Sequence, residues 1–178
     1  MNQIERNEKL VLFARAGEEL AAAVLAFPRA MWKYKPGPKR WSIHEIILHL
    51  ADSEAGGYVR CRRAAVEPGE TVAPMDADKW VEVLDYQSQD ADEALALFKL
   101  MRGANSRFLK ARSAAYWLNT VTYPSRGTVT MDDWLTMYAL HVKAHIEQMK
   151  ETHAAFLTSQ EGRAPDPDRS LFQQPKLS

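Results

Sequence analysis

The chain has 178 residues, enough for one domain with a substantial core. Hydrophobic residues make up 46% and charged residues 26%, an ordinary globular balance, and no run approaches the ~18 apolar residues of a membrane span. Lysine and arginine total 23 and so do aspartate and glutamate, a zero net charge that argues against nucleic acid and anionic membranes as partners.

Cys61 is the single cysteine, so no intrachain disulfide can form. A lone thiol and a polar opening segment without an apolar signal region lead us to expect a cytoplasmic protein. Residues from Asn2 to Phe27 read as a first helix, with Leu10, Phe13, Leu20 and Val24 at helical spacing. Gly17 falls on the same line, and Pro28 ends the segment. Lys33 to Arg40 is a breaker-rich loop. Ser42 followed by Glu45 is a capping box, so a second helix starts at Ile43 and runs to about Val66, with Trp41 placed to staple onto Ile46. Gly56-Gly57 interrupts that helix, which close packing, a cavity wall or a plain break would explain. A short helix is expected around Ala77–Leu84. Asp90 opens a third long helix whose apolar content reaches from Leu95 through Leu109 to Trp117.

Asn119 to Thr130 is rich in β-branched residues around Pro-Ser-Arg-Gly and predicts an irregular excursion or a hairpin of Val121–Tyr123 with Thr128–Thr130. Thr130 caps a last helix from Met131 to about Thr158. Residues 159–178 read as an extended or disordered tail. Four long amphipathic helices with little strand signal predict an all-α four-helix bundle over residues 1–158.

His141 and His145 stand at i and i+4 on the last helix, one turn apart on the face that carries Trp134, Tyr138 and Gln148. Two imidazoles so placed can grip one metal ion, or each can be a hydrogen-bonded core histidine. His49 lies on the inward side of the second helix. His44-Glu45-Ile-Ile-Leu-His49 exceeds the zinc-protease spacing by one residue, and its two rings point about 140° apart. We therefore read His44 as a solvated first-turn residue. Asp52 and Glu54 read as helix solvation, and Cys61 as a small buried hydrophobe. Tyr138 and Gln148 are candidate hydrogen-bond donors to the histidine pair. No Glu-x-x-His pair of the di-iron bundles occurs, and His153 is given no role.

Trp41-Ser-Ile-His-Glu-Ile-Ile-Leu-His49-Leu-Ala-Asp52-Ser-Glu54, followed by His141-x3-His145-x2-Gln148, resembles the DinB/YfiT-like superfamily. The resemblance implies an up-down-down-up bundle, a divalent metal on His49, His141 and His145, and a homodimer. It implies a metal-dependent hydrolase or a transferase using a low-molecular-weight thiol, with an unknown small-molecule substrate. It singles out no catalytic side chain. Zinc or nickel suits three imidazoles. A thiol substrate of the glutathione kind is anionic and would need basic residues at the rim, for which Arg60, Arg62 and Arg63 are candidates. A non-catalytic metal-binding or stress-response bundle is the alternative.

Overall fold

Each helix begins where a polar side chain closes its first turn. Asn2 caps α1 (Gln3–Leu25) and Ser42 caps α2 (Ile43–Val66). Asp76 caps the short α3 (Ala77–Val83), and Asp90 caps α4 (Ala91–Lys110). The hydroxyl of Thr130 accepts from the backbone N–H of Asp133 at 3.2 Å, which starts α5 (Met131–Glu161). The capping box predicted at the head of α2 is present: Ser42 accepts from Glu45 N at 3.1 Å, and Glu45 accepts from Ser42 N at 2.8 Å. The structure, a computed structural model, describes residues 1–73 and 75–161.

The four long helices pack as a ring, α1 on α4, α4 on α2, α2 on α5 and α5 on α1. Their directions follow from the side-chain pairs that join them. Arg6 meets Asp132 and Phe27 meets His153, start to start and end to end, so α1 and α5 run parallel. Glu54 meets Arg102 and Arg62 meets Asn105, so α2 and α4 are parallel too. Arg29 pairs with Asp92 while Phe13 lies against Arg102, so α1 and α4 are antiparallel. The bundle is therefore up-down-down-up, with α1 diagonal to α2.

Between α4 and α5 the chain makes a hairpin of β1 (Thr120–Tyr123) and β2 (Gly127–Thr130), as the β-branched residues predicted. Arg126 N donates to Tyr123 O at 3.2 Å, and Gly127 takes φ +76°. A left-handed glycine closing the turn is what a short hairpin loop requires. Pro124, Ser125 and Arg126 stand at its tip. The loop after α2 docks on β1, with Val72 N donating to Thr122 O at 2.8 Å.

Two apolar clusters fill the bundle. One centres on Ile46, Ile47, Leu50, Phe98 and Met149, the other on Phe13, Leu109, Trp117, Trp134 and Leu135. Val142 belongs to the first and Ala139 to the second, so α5 carries His141 across their junction.

Three expectations change. Trp117 is not in the third long helix but in a 3-10 turn, Ala114–Leu118, after α4 has ended at Lys110. It is buried there all the same, which is why its apolarity read as helix content. The last helix continues to Glu161, so residues 159–161 are helical, and the tail expected beyond them lies outside the described residues. His44 is buried rather than solvated, with Nε2 at 2.9 Å from the carbonyl of Tyr86. The turn at Tyr86–Ser88 covers it, which helical periodicity could not show.

Candidate metal centre

His49 enters from the second turn of α2, and His141 and His145 from the middle of α5. The two helices face each other antiparallel, as Trp41 against Thr152 and Gly57 against Tyr138 show. One nitrogen from each ring lies within 4.8 Å of the others. Nε2 of His141 and Nε2 of His145 are 3.0 Å apart. Two nitrogens bound at 2.0–2.1 Å around a tetrahedral ion would stand roughly 3.3 Å apart, so this pair sits near coordinating spacing.

Gln148 orients the cluster. Its amide oxygen lies 2.9 Å from Nδ1 of His145 and can only accept, so Nδ1 carries the proton. Nε2 of His145 then turns its lone pair inward. The proton between the two Nε2 atoms belongs to His141 and must leave before both nitrogens can coordinate.

Burial holds the rings neutral. It lowers His49 from 6.5 to about 4, with the charge of His145 adding to it. His141 falls to about 3, first by burial, then by His145 and His49, then by the Arg102 and Arg126 guanidiniums. Burial also lowers His145, against the opposing hydrogen bond to Gln148. A neutral imidazole is the form that binds metal. Nδ1 of His49 is buried and has no hydrogen-bond partner, a cost of roughly 1–3 kcal/mol for an unpaired polar atom. Three neutral imidazole donors and one orphaned ring nitrogen fit a divalent ion. Among the described residues no cysteine or carboxylate joins the set.

Aromatic rings wall the cluster. Trp41 lies 4.8 Å from His49 and stacks parallel to His145 at 6.1 Å, ring centre to ring centre. Its indole N–H donates to Asp78 at 2.9 Å, so α3 holds it in place. It also packs against the apolar cluster that contains Ile46. Tyr138 lies 6.0 Å from His141 and stacks on Trp134 at 4.1 Å. A Cβ on Gly57 would stand 2.7 Å from the Tyr138 ring, so the glycine makes room for that tyrosine.

The remaining candidates sort by position. Glu54 is wholly buried and accepts from Arg102 Nη2 at 2.6 Å and Asn105 at 3.1 Å, so it is no solvated surface group. Asp52 accepts from the Tyr86 hydroxyl. Cys61 is buried, and burial pushes its thiol far above the usual range, which makes it inert. Arg62 turns to Asn105 and Tyr58, and Arg63 to Glu70, both away from the cluster. Arg60 alone of the three stays beside it, donating to the Tyr138 hydroxyl at 2.9 Å. Trp41 as a wall and Arg126 as a nearby charge were not foreseen. The tryptophan directly before the cap was a usable signal, whereas the place of the hairpin tip was not.

Two surface grooves, of about 610 and 340 Å³, meet at Arg29 and Trp32 near the end of α1. None of the three clustered histidines lines either groove, so the donor set and not the volume marks the site.

The comparisons with known proteins agree with this frame. The sequence profile of the DinB superfamily matches residues 12–149. "Putative metal-dependent hydrolase YfiT" of Bacillus subtilis is 25% identical over 112 residues, 62% of this chain and 63% of that one. "Putative metal-dependent hydrolase OB0782" of Oceanobacillus iheyensis is 27% identical over 106 residues, 60% of this chain and 61% of that one. The chain thus matches a little under two thirds of the length of these two relatives. The solved structure of B. subtilis YfiT, described as "a probable metal-dependent hydrolase with an unusual four-helix bundle topology", superposes with a TM-score of 0.80. That match covers 91% of this chain and 90% of YfiT at 20% identity, and it shows the shared fold. With the profile covering well over half of its length, the chain belongs to the DinB superfamily.

Proposed function

We propose that the protein is a metal-dependent hydrolase in which His49, His141 and His145 hold one divalent ion, zinc or nickel. The observation that carries this reading is the convergence of three neutral imidazoles from two helices, with no fourth histidine, cysteine or carboxylate joining the cluster among the described residues. A structural site would be closed by a fourth ligand, whereas a catalytic one keeps a position open. The names of the relatives point the same way.

When bound, such an ion lowers the pKa of water toward ~7 and polarises a substrate carbonyl. The chain's own residues do the rest. Gln148 fixes the His145 tautomer, Trp41 shields the rings of His49 and His145, and Tyr138 limits the side of His141. The same open position would accept a thiolate, so thiol transfer is the second chemistry to assay. The substrate in either case is a small molecule. A homodimer and a cytoplasmic setting belong to the same proposal. Among the described residues no helix is long and apolar enough to cross a membrane.

Elemental analysis of protein purified without a histidine tag tests the site. About one zinc or nickel per chain is expected in the wild type, with loss in His141→Ala. The loaded protein should then hydrolyse members of an ester and amide panel, and His49→Ala should lose that activity. Metal content near zero, unchanged by His141→Ala, sinks the site. A loaded protein inert toward esters, amides and thiol acceptors returns the reading to a non-catalytic metal-binding bundle.

A further inference from the structure

Two arginines near the triad, Arg60 and Arg126, have no carboxylate partner among the described residues. Arg60 folds back along α2, so that its guanidinium lies 3.9 Å from where a Cβ on Gly56 would stand. There it donates to Tyr138 and covers the ring of Tyr123 at 5.1 Å. Tyr138 in turn donates to the carbonyl of Ser53 at 3.4 Å, one turn beyond His49. Arg60 is thus drawn back from its own Cα toward the turn of α2 that follows His49. Arg126 reaches the same corner from the hairpin tip, with Nη1 at 3.4 Å from Sδ of Met137, the residue before Tyr138. Among the described residues neither guanidinium has a carboxylate partner, although Arg6, Arg29, Arg40, Arg63 and Arg102 all do. The acid nearest to Arg60 in the chain, Glu54, is taken by Arg102 and Asn105, and the one nearest to Arg126, Asp132, by Arg6. Among the described residues, two positive forks thus stand without a carboxylate at one side of the candidate metal site.

From this placement we infer that the site takes a substrate carrying an anionic group, a carboxylate or a phosphate, which Arg60 and Arg126 clamp while another atom of the same molecule meets the metal. The inference rests on the metal reading above and adds the substrate class to it. Guanidinium forks match planar or tetrahedral oxyanions with paired N–H donors. The Tyr123 ring, 5.1 Å from the Arg60 guanidinium, and the Tyr138 hydroxyl hold that fork in place. The Gly56-Gly57 pair gains a purpose here: Gly57 admits Tyr138, and Gly56 leaves the helix surface bare where Arg60 lies.

The test uses the full chain loaded with cobalt(II), whose visible spectrum reports binding at the metal. The probes are two series of hydroxamates, one ending in a methyl group and one in a carboxylate, over a range of chain lengths. At some length the carboxylate should bind at least about tenfold more tightly than its methyl partner, the size expected of one charge-assisted hydrogen bond. That preference should shrink as salt is added. Arg126→Gln, an exposed change, should reduce it several-fold, and Arg60→Gln with Arg126→Gln should abolish it. Arg60→Lys, which keeps the charge but loses the fork, should fall between. Each is read as a ratio within one variant, so a general loss of affinity cancels. Equal binding of both series by the wild type, or a preference that survives the double substitution, overturns the anion clamp and leaves the metal reading standing. A protein that takes up no cobalt overturns both.

Discussion

Gln148 is the residue on which the geometry of the triad turns. Without an acceptor on Nδ1, His145 is free to place its proton on Nε2, where it would block coordination. Gln148→Ala should therefore weaken metal binding by about 10–100-fold while leaving thermal stability of the metal-free protein nearly unchanged. Competition with a chromophoric chelator measures the first, and a thermal melt the second. Unchanged affinity would show that Gln148 only fills space. The three histidines were visible in the sequence because metal ligation demands side chains of one kind, and the i, i+4 pair needs only helix geometry to be read. Joining His49 to them required the α2 motif, since periodicity alone left each histidine open to a core reading. His44 and Glu54 were misread as solvated for a common reason. Tyr86 covers the first and Arg102 meets the second, and both partners come from segments whose packing against α2 periodicity does not set.

At the scale of the helices, α2 and α4 are joined by a buried charge network of Glu54, Arg102 and Asn105. Arg102 is 1% exposed, lies 4.0 Å over the Phe13 ring, and gives Nε and Nη2 to Glu54. Burial pushes the Glu54 carboxyl up, and the Arg102 charge with its hydrogen bonds pulls it back. Ion pairs so deep stabilise little in net, but removing one partner strands the other. Arg102→Met should cost about 3–5 kcal/mol in urea denaturation, and adding Glu54→Gln should recover a large part of that loss. Additive losses would mean that the two groups do not depend on one another. The helix starts were legible almost to the residue, because caps such as Ser42, Asp90 and Thr130 mark them chemically, whereas the ends of α4 and α5 carry no such mark and were misplaced. Their order around the ring was not. Which helix lies beside which is decided by long-range pairs such as Arg6 with Asp132, and no single segment records them.

For the whole molecule, the histidines couple folding to acidity and to metal in one direction. His49 and His141 titrate near 4 and 3 when folded against 6.5 in the open chain, and burial lowers His44 and His145 as well. Between those values the unfolded chain holds more protons than the folded one. Stability is therefore fully present above pH 6.5 and is lost as pH falls toward the folded values. The lowered carboxyls, among them Glu45 and Asp132, release their share only below their ordinary 4.5 and 3.8, and the raised Glu54 carboxyl acts in the opposite sense above 4.5, so the loss of stability from 6.5 to 4.5 comes from the histidines. His49 alone contributes roughly 2–3 kcal/mol across it, at 1.4 kcal/mol per pKa unit. The metal-free protein should thus lose several degrees of melting temperature between pH 6.5 and 4.5, and His49→Ala with His141→Ala should flatten that slope. If the three rings hold a metal, they do so in their neutral folded form, so added zinc should raise the melting temperature from neutral pH down to about pH 4.5 and lose its effect only below about 4, where His49 takes up its proton. A melting temperature that is level across this window would mean that the three rings are not held neutral by the fold. Metal would then compete with protons already near pH 6.5 rather than near 4, because a protonated imidazole has no lone pair to offer.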